Sequence, residues 1–328
     1  MRVLISTIPF ADNDRQPIEL LEQAGADVVL NPLGRKLKES DLLEIIPEFE
    51  VLIAGTESIT EQVLENATRL KLISRVGIGL DSVDLLAARR HGIKVCYTPD
   101  APSPAVAELT IGLMICLLRT VQIANLRMHK GEWNRFFGRR LSEVTIGIIG
   151  AGRIGNRVIR HLAGFECRRI LVNDINPLLT LPLHPTCSIE SVSKDTIYRE
   201  AHIISIHVPL TRHTRNLVTA EDMSIMQHGT LLINTARGGI INEQDLFEAL
   251  QSGHIGGAAI DVFETEPYDG NLGNLDQCLL TAHMGSMSVD CRNRMEFEAA
   301  KDAVRFMSGA ALESVVPDEE YDNQEVES

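Results

Sequence analysis

Short runs of apolar, β-branched residues recur along this chain, continuous rather than alternating, with helical patterns between them. In the first part they are Val3–Ile8, Asp27–Leu30, Val51–Ala54, Leu72–Arg75 and Ile93–Tyr97. In the second they are Thr145–Ile149, Ile170–Asn173, Ile203–His207, Leu231–Asn234, Ala258–Val262 and Leu279–Ala282. A strand that is apolar on both faces needs cover on both, and helices crossing over a parallel sheet provide it. The pattern predicts an α/β fold with parallel sheets, and 328 residues are enough for two domains. Ser103-Pro104 is a good helix start, a cap followed by proline at the first helical position. The helical pattern from there to about Lys130 is long for a globular helix and reads as a connector. The second unit then occupies about 100–285. A last periodic helix spans about Ser288–Phe306, and periodicity does not say which unit it joins.

Composition removes several classes of function. The net charge is −14, the wrong sign for a nucleic-acid surface spread over the molecule. Half of that charge sits in residues 313–328, ESVVPDEEYDNQEVES, with seven acidic residues and no basic one. This tail reads as solvated and disordered, with a partner-docking segment as the alternative. Six scattered cysteines, with no C-x-x-C and no histidine pair at ligand spacing, argue against a metal site and a disulfide framework. They read as reduced, buried thiols in a cytoplasmic protein. The start, MRVLISTIPFADND, reads as a first strand rather than a signal peptide. The most apolar stretch, PAVAELTIGLMICLL, carries Glu108 and falls short of the ~18–20 apolar residues a bilayer span requires, so no membrane association is expected.

The first motif with chemistry follows Thr145–Ile149. Gly150-Ala151-Gly152-Arg153-Ile154-Gly155 leads into a helical pattern, then a strand ending at Asp174. Glycine-rich turns are common, but strand, turn, helix and a later acid together form a dinucleotide fingerprint. Gly150 permits the tight turn, Gly152 lets backbone approach a pyrophosphate, and Gly155 lets the helix pack on the strand. The helix N-terminus offers unpaired N–H groups to phosphates. Asp174 would accept hydrogen bonds from ribose hydroxyls and repel an extra phosphate, and Ile175-Asn176-Pro177 offers no arginine, so NAD is preferred over NADP. The plainer alternative is a βαβ turn whose glycines serve packing only.

Three segments at strand ends, where ligands of open α/β sheets bind, carry candidate chemistry. They are Thr235-Ala236-Arg237-Gly238-Gly239, Phe263-Glu264-Thr265-Glu266-Pro267 and His283-Met284-Gly285. Arginine offers a planar fork for a carboxylate or a carbonyl. Histidine beside a carboxylate makes a general acid able to protonate a carbonyl oxygen during its reduction. Taken singly, Arg237 could be a surface ion pair and His283 a loop residue. Asp81 and Asp84 read as turn and helix-capping residues. His207 could line the adenine side or be a buried, satisfied imidazole.

On GAGRIG with Asp174, NTARGGIINEQDL from Asn234, GAAIDVFETEP ending at Pro267 and TAHMG around His283, the chain resembles the D-isomer-specific 2-hydroxyacid dehydrogenases over about residues 3–312. The resemblance implies two doubly wound parallel-sheet domains. A flavodoxin-like substrate domain would be built from 1–99 and 286–312, the last helix returning to it, and a Rossmann NAD domain from 100–285. It implies that Arg237 orients a 2-oxo acid, that His283 is the acid/base, and that Glu266, not Glu264, is its partner. It implies that Asp261 contacts the nicotinamide carboxamide, and that Arg153, Ile154, Pro209, Thr235 and Ala236 line the cofactor. The loop Arg75-Val76-Gly77-Ile78-Gly79 would cradle the substrate carboxylate, and the helix near 104–125 would build a homodimer through the NAD domains. IAGTESIT, SRVGIGLDSVDL and KGEWNRF are most similar to short 3-phosphoglycerate dehydrogenases, which implies 3-phosphoglycerate and 3-phosphohydroxypyruvate as substrates. Gly55 stands where relatives carry a phosphate-binding arginine. Arg75, Arg135, Arg139 or Arg140 would then have to hold the phosphate. Otherwise the substrate is a small acid such as glyoxylate, hydroxypyruvate or pyruvate, making the protein a glyoxylate/hydroxypyruvate reductase or a D-lactate dehydrogenase. An NAD(H)-sensing, corepressor-like binding protein is the reading from a different class.

Overall fold

The computed structural model describes residues 1–176 and 187–324. The chain divides into two compact units, one formed by Met1–Pro102 with Met287–Ser328 and the other by Ser103–Ser286.

The first unit holds β1 (Arg2–Ile5), β2 (Asp27–Leu30), β3 (Val51–Ala54), β4 (Leu72–Arg75) and β5 (Lys94–Tyr97). They pair in parallel in the order β2-β1-β3-β4-β5, the flavodoxin-like arrangement. The continuous apolarity has a simple cause: alternate residues serve opposite faces. Leu4, Leu52, Ala54, Ile73 and Val95 join the core beneath the helices Glu39–Ile45, Glu61–Asn66 and Leu85–Arg90. The equally buried Val3, Ile5, Val51 and Ile53 face the other way, where the helices Gln16–Gln23 and Val289–Met307 pack together and the latter lies on β3 and β4. The last helix therefore belongs to this unit.

The second unit holds β6 (Thr145–Ile149), β7 (Arg169–Asn173), β8 (Ser188–Ser191), β9 (Ile203–Ile206), β10 (Thr230–Asn234), β11 (Ile255–Ile260) and β12 (Cys278–Leu280). The order is β12-β11-β10-β9-β6-β7-β8, all parallel, so successive strands are added to one side of β6 and then, from β9 on, to the other. This is the doubly wound dinucleotide-binding order with one strand added at its edge. Ile146, Ile148, Ile170, Val172 and Ile203 pack on one face, and Ile149, Leu171, Ile204 and Ile206 on the other.

Four sequence expectations are corrected. The first strand ends at Ile5: Ser6 N–H makes the last bond to β3, to Ile53 O at 3.0 Å, and the side chains of Ser6 and Thr7 then go to Glu57 and Arg292. The long helix is two, Ser103–Leu118 and Val121–His129, bent by 65°. Thr120 between them is left-handed at φ +53°, and Arg139 N–H takes the Leu118 carbonyl that a continued helix would have used. Strand β8 escaped notice because SIES is half-exposed and polar at the sheet edge. The acidic tail is ordered through Gln324, with a helix over Asp318–Gln324, because Val316 and Tyr321 give it buried anchors. Its last residues, 325–328, lie outside the described residues, as does Pro177.

Among the described residues no single helix is long and apolar enough to cross a membrane. None of the cysteines is bonded to another. Burial pushes the Cys96, Cys167 and Cys278 thiols up to about 12, which keeps them unreactive.

Candidate active site

The carboxyl ends of β6, β7, β9, β10, β11 and β12 carry the candidate residues of the second unit. At the first of these, Gly150 has φ +93°, and a Cβ there would lie 2.5 Å from the His207 carbonyl oxygen. A Cβ on Gly155 would lie 2.0 Å from Gly150 O, whereas one on Gly152 would meet nothing within 4 Å. Two glycines are thus demanded by the turn itself. The third leaves open space at the start of the helix Arg153–Ala163, where N–H groups and the positive dipole end favour a phosphate. Arg153 is exposed and Ile154 half-buried on the first turn of that helix.

Asp174, directly after β7, reaches back to the turn: one carboxylate oxygen accepts from Ala151 N–H at 2.6 Å and the other from Asn176 N–H at 2.8 Å. A carboxylate has about four acceptor sites, so capacity for ribose hydroxyls remains. Just past β9, His207 Nε2 lies 2.9 Å from Ser205 Oγ, while Nδ1 is buried with no hydrogen-bond partner among the described residues. Burial lowers this imidazole to about 4. His207 is half-buried with Nδ1 turned inward, and only one of its nitrogens is satisfied, so neither of its two readings holds in full. Pro209, two residues on, is fixed through its carbonyl by Thr214 Oγ1 at 2.6 Å.

The turn after β10 is organised by Asn234. Its side-chain oxygen accepts from Ala236 N–H at 3.0 Å, and its amide donates to Arg237 O at 2.7 Å. Thr235 Oγ1 meets Thr110 Oγ1 at 3.0 Å. Sequence reasoning quoted Asn234 only as the start of a motif; an asparagine ending a buried strand was the available signal.

Asp261, directly after β11, is 1% exposed. Its carboxylate accepts from Thr281 Oγ1 at 2.6 Å, Met284 N–H at 2.9 Å and Gly285 N–H at 2.9 Å. Its carbonyl accepts from His283 N–H at 2.8 Å. Three of the roughly four acceptor sites of this carboxylate thus hold the 281–285 loop, and one is left for the carboxamide that the resemblance assigns to it.

That loop presents His283 at φ +49°, an uncommon conformation for a residue with a side chain. His283 Nδ1 lies 2.9 and 3.0 Å from the two Glu266 carboxylate oxygens. An ionised carboxylate only accepts, so Nδ1 carries the proton and Nε2 is left for exchange with a ligand. Glu266 is itself oriented by Phe263 N–H at 3.2 Å. Glu264 is exposed and donates its N–H to Glu243. Burial, reinforced by the charges of Glu264 and Glu266, pushes the Glu243 carboxyl above its usual range.

In the first unit, Arg75 is buried at the end of β4, beside Gly77 at φ +141°. Val76 N–H donates to Ala54 O at 2.8 Å and Gly77 N–H to Thr98 Oγ1 at 2.7 Å. Ile78 and Gly79 thus carry the loop N–H groups without a backbone partner among the described residues. Gly55 has no room for a side chain: a Cβ would lie 2.6 Å from Thr7 Oγ1 and 2.9 Å from Glu57 Oε2. Asp84 caps its helix through Ala87 N–H at 2.7 Å. Arg135, Arg139 and Arg140 are exposed in the second unit. Among the described residues no group of histidine, cysteine and carboxylate is placed to hold a metal.

A dinucleotide-binding sheet with a carboxylate-backed histidine at its carboxyl edge is the equipment of a nicotinamide-dependent oxidoreductase. The comparisons agree: the sequence model of the D-isomer specific 2-hydroxyacid dehydrogenase, NAD binding domain, matches residues 111–285. The hydroxypyruvate reductase of Thermotoga maritima is 36% identical over 276 residues, 82% of this chain and 88% of that protein. The D-3-phosphoglycerate dehydrogenase of Methanocaldococcus jannaschii is 36% identical over 305 residues, 91% of this chain, which spans 57% of that relative's length. The crystal structure of D-lactate dehydrogenase from Aquifex aeolicus complexed with NAD and lactic acid superposes with a TM-score of 0.81 at 26% identity, covering 94% of this chain and 96% of that one. The chain belongs to the D-isomer specific 2-hydroxyacid dehydrogenase family, and its second unit carries that family's NAD-binding domain.

Proposed function

We propose that the protein interconverts a D-2-hydroxy acid and its 2-oxo acid with NAD, His283 being the proton donor and acceptor and Arg237 the group that orients the acid. The observation that carries this reading is the His283–Glu266 contact on a loop held by Asp261. Gly150, Gly152, Gly155 and Asp174 would hold the dinucleotide, which supplies or accepts hydride when bound. In the reducing direction the His283 imidazolium gives its Nε2 proton to the carbonyl oxygen. Glu266 stabilises that imidazolium and fixes its ring. The guanidinium of Arg237, half-buried on a turn set by Asn234, polarises the carbonyl and anchors the carboxylate. In the first unit, the open N–H groups of Ile78 and Gly79 are the donors the loop after Arg75 would offer to a carboxylate. An Asp174 charge disfavours the extra phosphate of NADP.

For the substrate, the likeness to hydroxypyruvate reductase and the shape of Gly55 favour a small unphosphorylated oxo acid. An arginine at 55 would have to displace Thr7 and Glu57, and the carboxylate of Glu57 accepts there from Gly55 N–H at 2.9 Å. The 3-phosphoglycerate reading rests on the second relative and would need a phosphate site built from Arg75 or the 135–140 arginines. Residues 121–137 of the second unit expose the large apolar side chains Val121, Leu126, Met128, Trp133, Phe136 and Phe137, which suits a homodimer. The test follows nicotinamide absorbance with glyoxylate, hydroxypyruvate, pyruvate and 3-phosphohydroxypyruvate, using NADH and NADPH. Turnover of the small acids with NADH supports the proposal. Tight NADH binding without turnover of any acid would replace it with the sensor reading.

A further inference from the structure

The acidic segment after the last helix grips the first unit at two places, and both lead to the same loop. Its start is set by Asp302, a buried carboxylate that accepts from Glu313 N–H at 2.8 Å and Ser314 N–H at 3.1 Å. The chain then runs antiparallel along the edge of β5, with Val315 opposite Cys96. Tyr97 N–H donates to Ser314 O at 3.1 Å, and Val316 N–H to Val95 O at 3.3 Å. The residue after Tyr97 is Thr98, which holds Gly77 twice: Oγ1 accepts from Gly77 N–H at 2.7 Å, and its own N–H donates to Gly77 O at 3.1 Å.

The second grip lies at the other end of the loop. Tyr321 is 8% exposed, with the Arg89 guanidinium 3.8 Å from its ring centre and Asp318 2.8 Å from the same guanidinium. Past it, the Gln324 side-chain oxygen accepts from Leu85 N–H at 2.8 Å and its amide donates to Val83 O at 2.9 Å. Leu85 opens the helix Leu85–Arg90, whose Asp84 cap serves Ala87 and not Leu85. Val83 N–H in turn closes on Leu80 O at 3.0 Å, and Val83 pairs with Ile59. A glutamine amide that satisfies one donor and one acceptor two residues apart has its orientation fixed. It fixes the exit of the loop in return.

We propose that residues 314–324 are a positioning strap for the loop Val76–Ser82, with Gln324 as its terminal positioning residue. The inference rests on the proposal above that this loop receives the substrate's carboxylate. Loop N–H groups bind an anion well only if aligned beforehand; otherwise their ordering is charged against binding. The contacts described for the strap are all to residues of the first unit and none is to a residue proposed to react, so its loss should appear in KM and leave kcat and NADH affinity in place.

The experiment uses the full chain, the variant Gln324→Ala and a chain ending at Pro317. KM and kcat are measured with glyoxylate and hydroxypyruvate, and NADH affinity by nicotinamide fluorescence. The expected result is KM raised about tenfold by truncation and about threefold by Gln324→Ala, with kcat within about twofold and NADH affinity unchanged. Hydrogen exchange of peptides covering 76–83 is read alongside and should quicken in both variants. Unchanged KM and exchange would overturn the strap, as would a joint fall of kcat and NADH affinity, which is the mark of general damage. If the parent chain consumes NADH with neither acid, the functional reading fails by itself. The exchange rates then still decide whether the strap holds the loop.

Discussion

The loop around His283 and the loop after Arg75 both leave the carboxyl ends of parallel strands, yet they are fastened by different means. The first is held by residues close to it in sequence: Asp261, on the neighbouring strand, takes two of its N–H groups and the Thr281 hydroxyl, and Glu266 takes the imidazole. The second is held by Thr98 at one end and Gln324 at the other, partners up to some 240 residues away along the chain. One charged, buried carboxylate is a strong and rigid fastening. Several neutral hydrogen bonds and a half-exposed cation–aromatic contact are individually weak and removable one by one. On the proposed function, His283 thus sits on the firmly held loop, and the loop proposed for the acid is the one whose fastenings can be removed singly.

Removing the strongest fastening should have the largest effect. Asp261→Ala leaves the Thr281 hydroxyl and the Met284 and Gly285 N–H groups without their acceptor. It should cost about 3–5 kcal/mol in urea unfolding and abolish turnover with it. A cost below about 1 kcal/mol would remove the contrast between the loops. A second effect in the same unit depends on pH. The His207 imidazole lies at about 4 in the folded chain against 6.5 as its ordinary value, so the unfolded chain takes up a proton first as the pH falls. The stability associated with neutral His207 is complete above about pH 6.5 and is withdrawn between there and pH 4, by about 3 kcal/mol. Urea midpoints at pH 7 and 4.5 should therefore converge in His207→Gln relative to the parent; an equal slope in both would contradict the assignment. The smallest effect lies in the other unit. Asp84→Ala removes a helix cap beside the loop after Arg75 and should cost about 1 kcal/mol while raising KM more than it lowers kcat.

This contrast also explains what could be read from sequence. Strand cores such as Ile146–Ile149 and the Gly150–Gly155 turn were legible because local periodicity and glycine geometry carry the signal. Arg237, His283 and the segment holding Glu264 and Glu266 could be singled out because each follows a strand end, while the choice of Glu266 over Glu264 rests on the family resemblance. The break at Thr120 was not legible, since no glycine or proline marks it and the cause is Arg139, well downstream. Nor was the order of the tail: seven acids outvoted Val316 and Tyr321, whose partners Val95 and Arg89 lie far off in sequence. The departure of Gly55 was visible, but its reason, the crowding by Thr7 and Glu57, needed coordinates.

The central claim is that a carboxylate-backed His283 moves the proton in an NAD-dependent reduction of a 2-oxo acid. Its most direct test compares the parent with His283→Ala, following NADH oxidation by glyoxylate and hydroxypyruvate while NADH affinity is measured separately. A fall in kcat of about 10²–10⁴ with NADH affinity nearly unchanged is expected. Turnover in the variant within about threefold of the parent would contradict it.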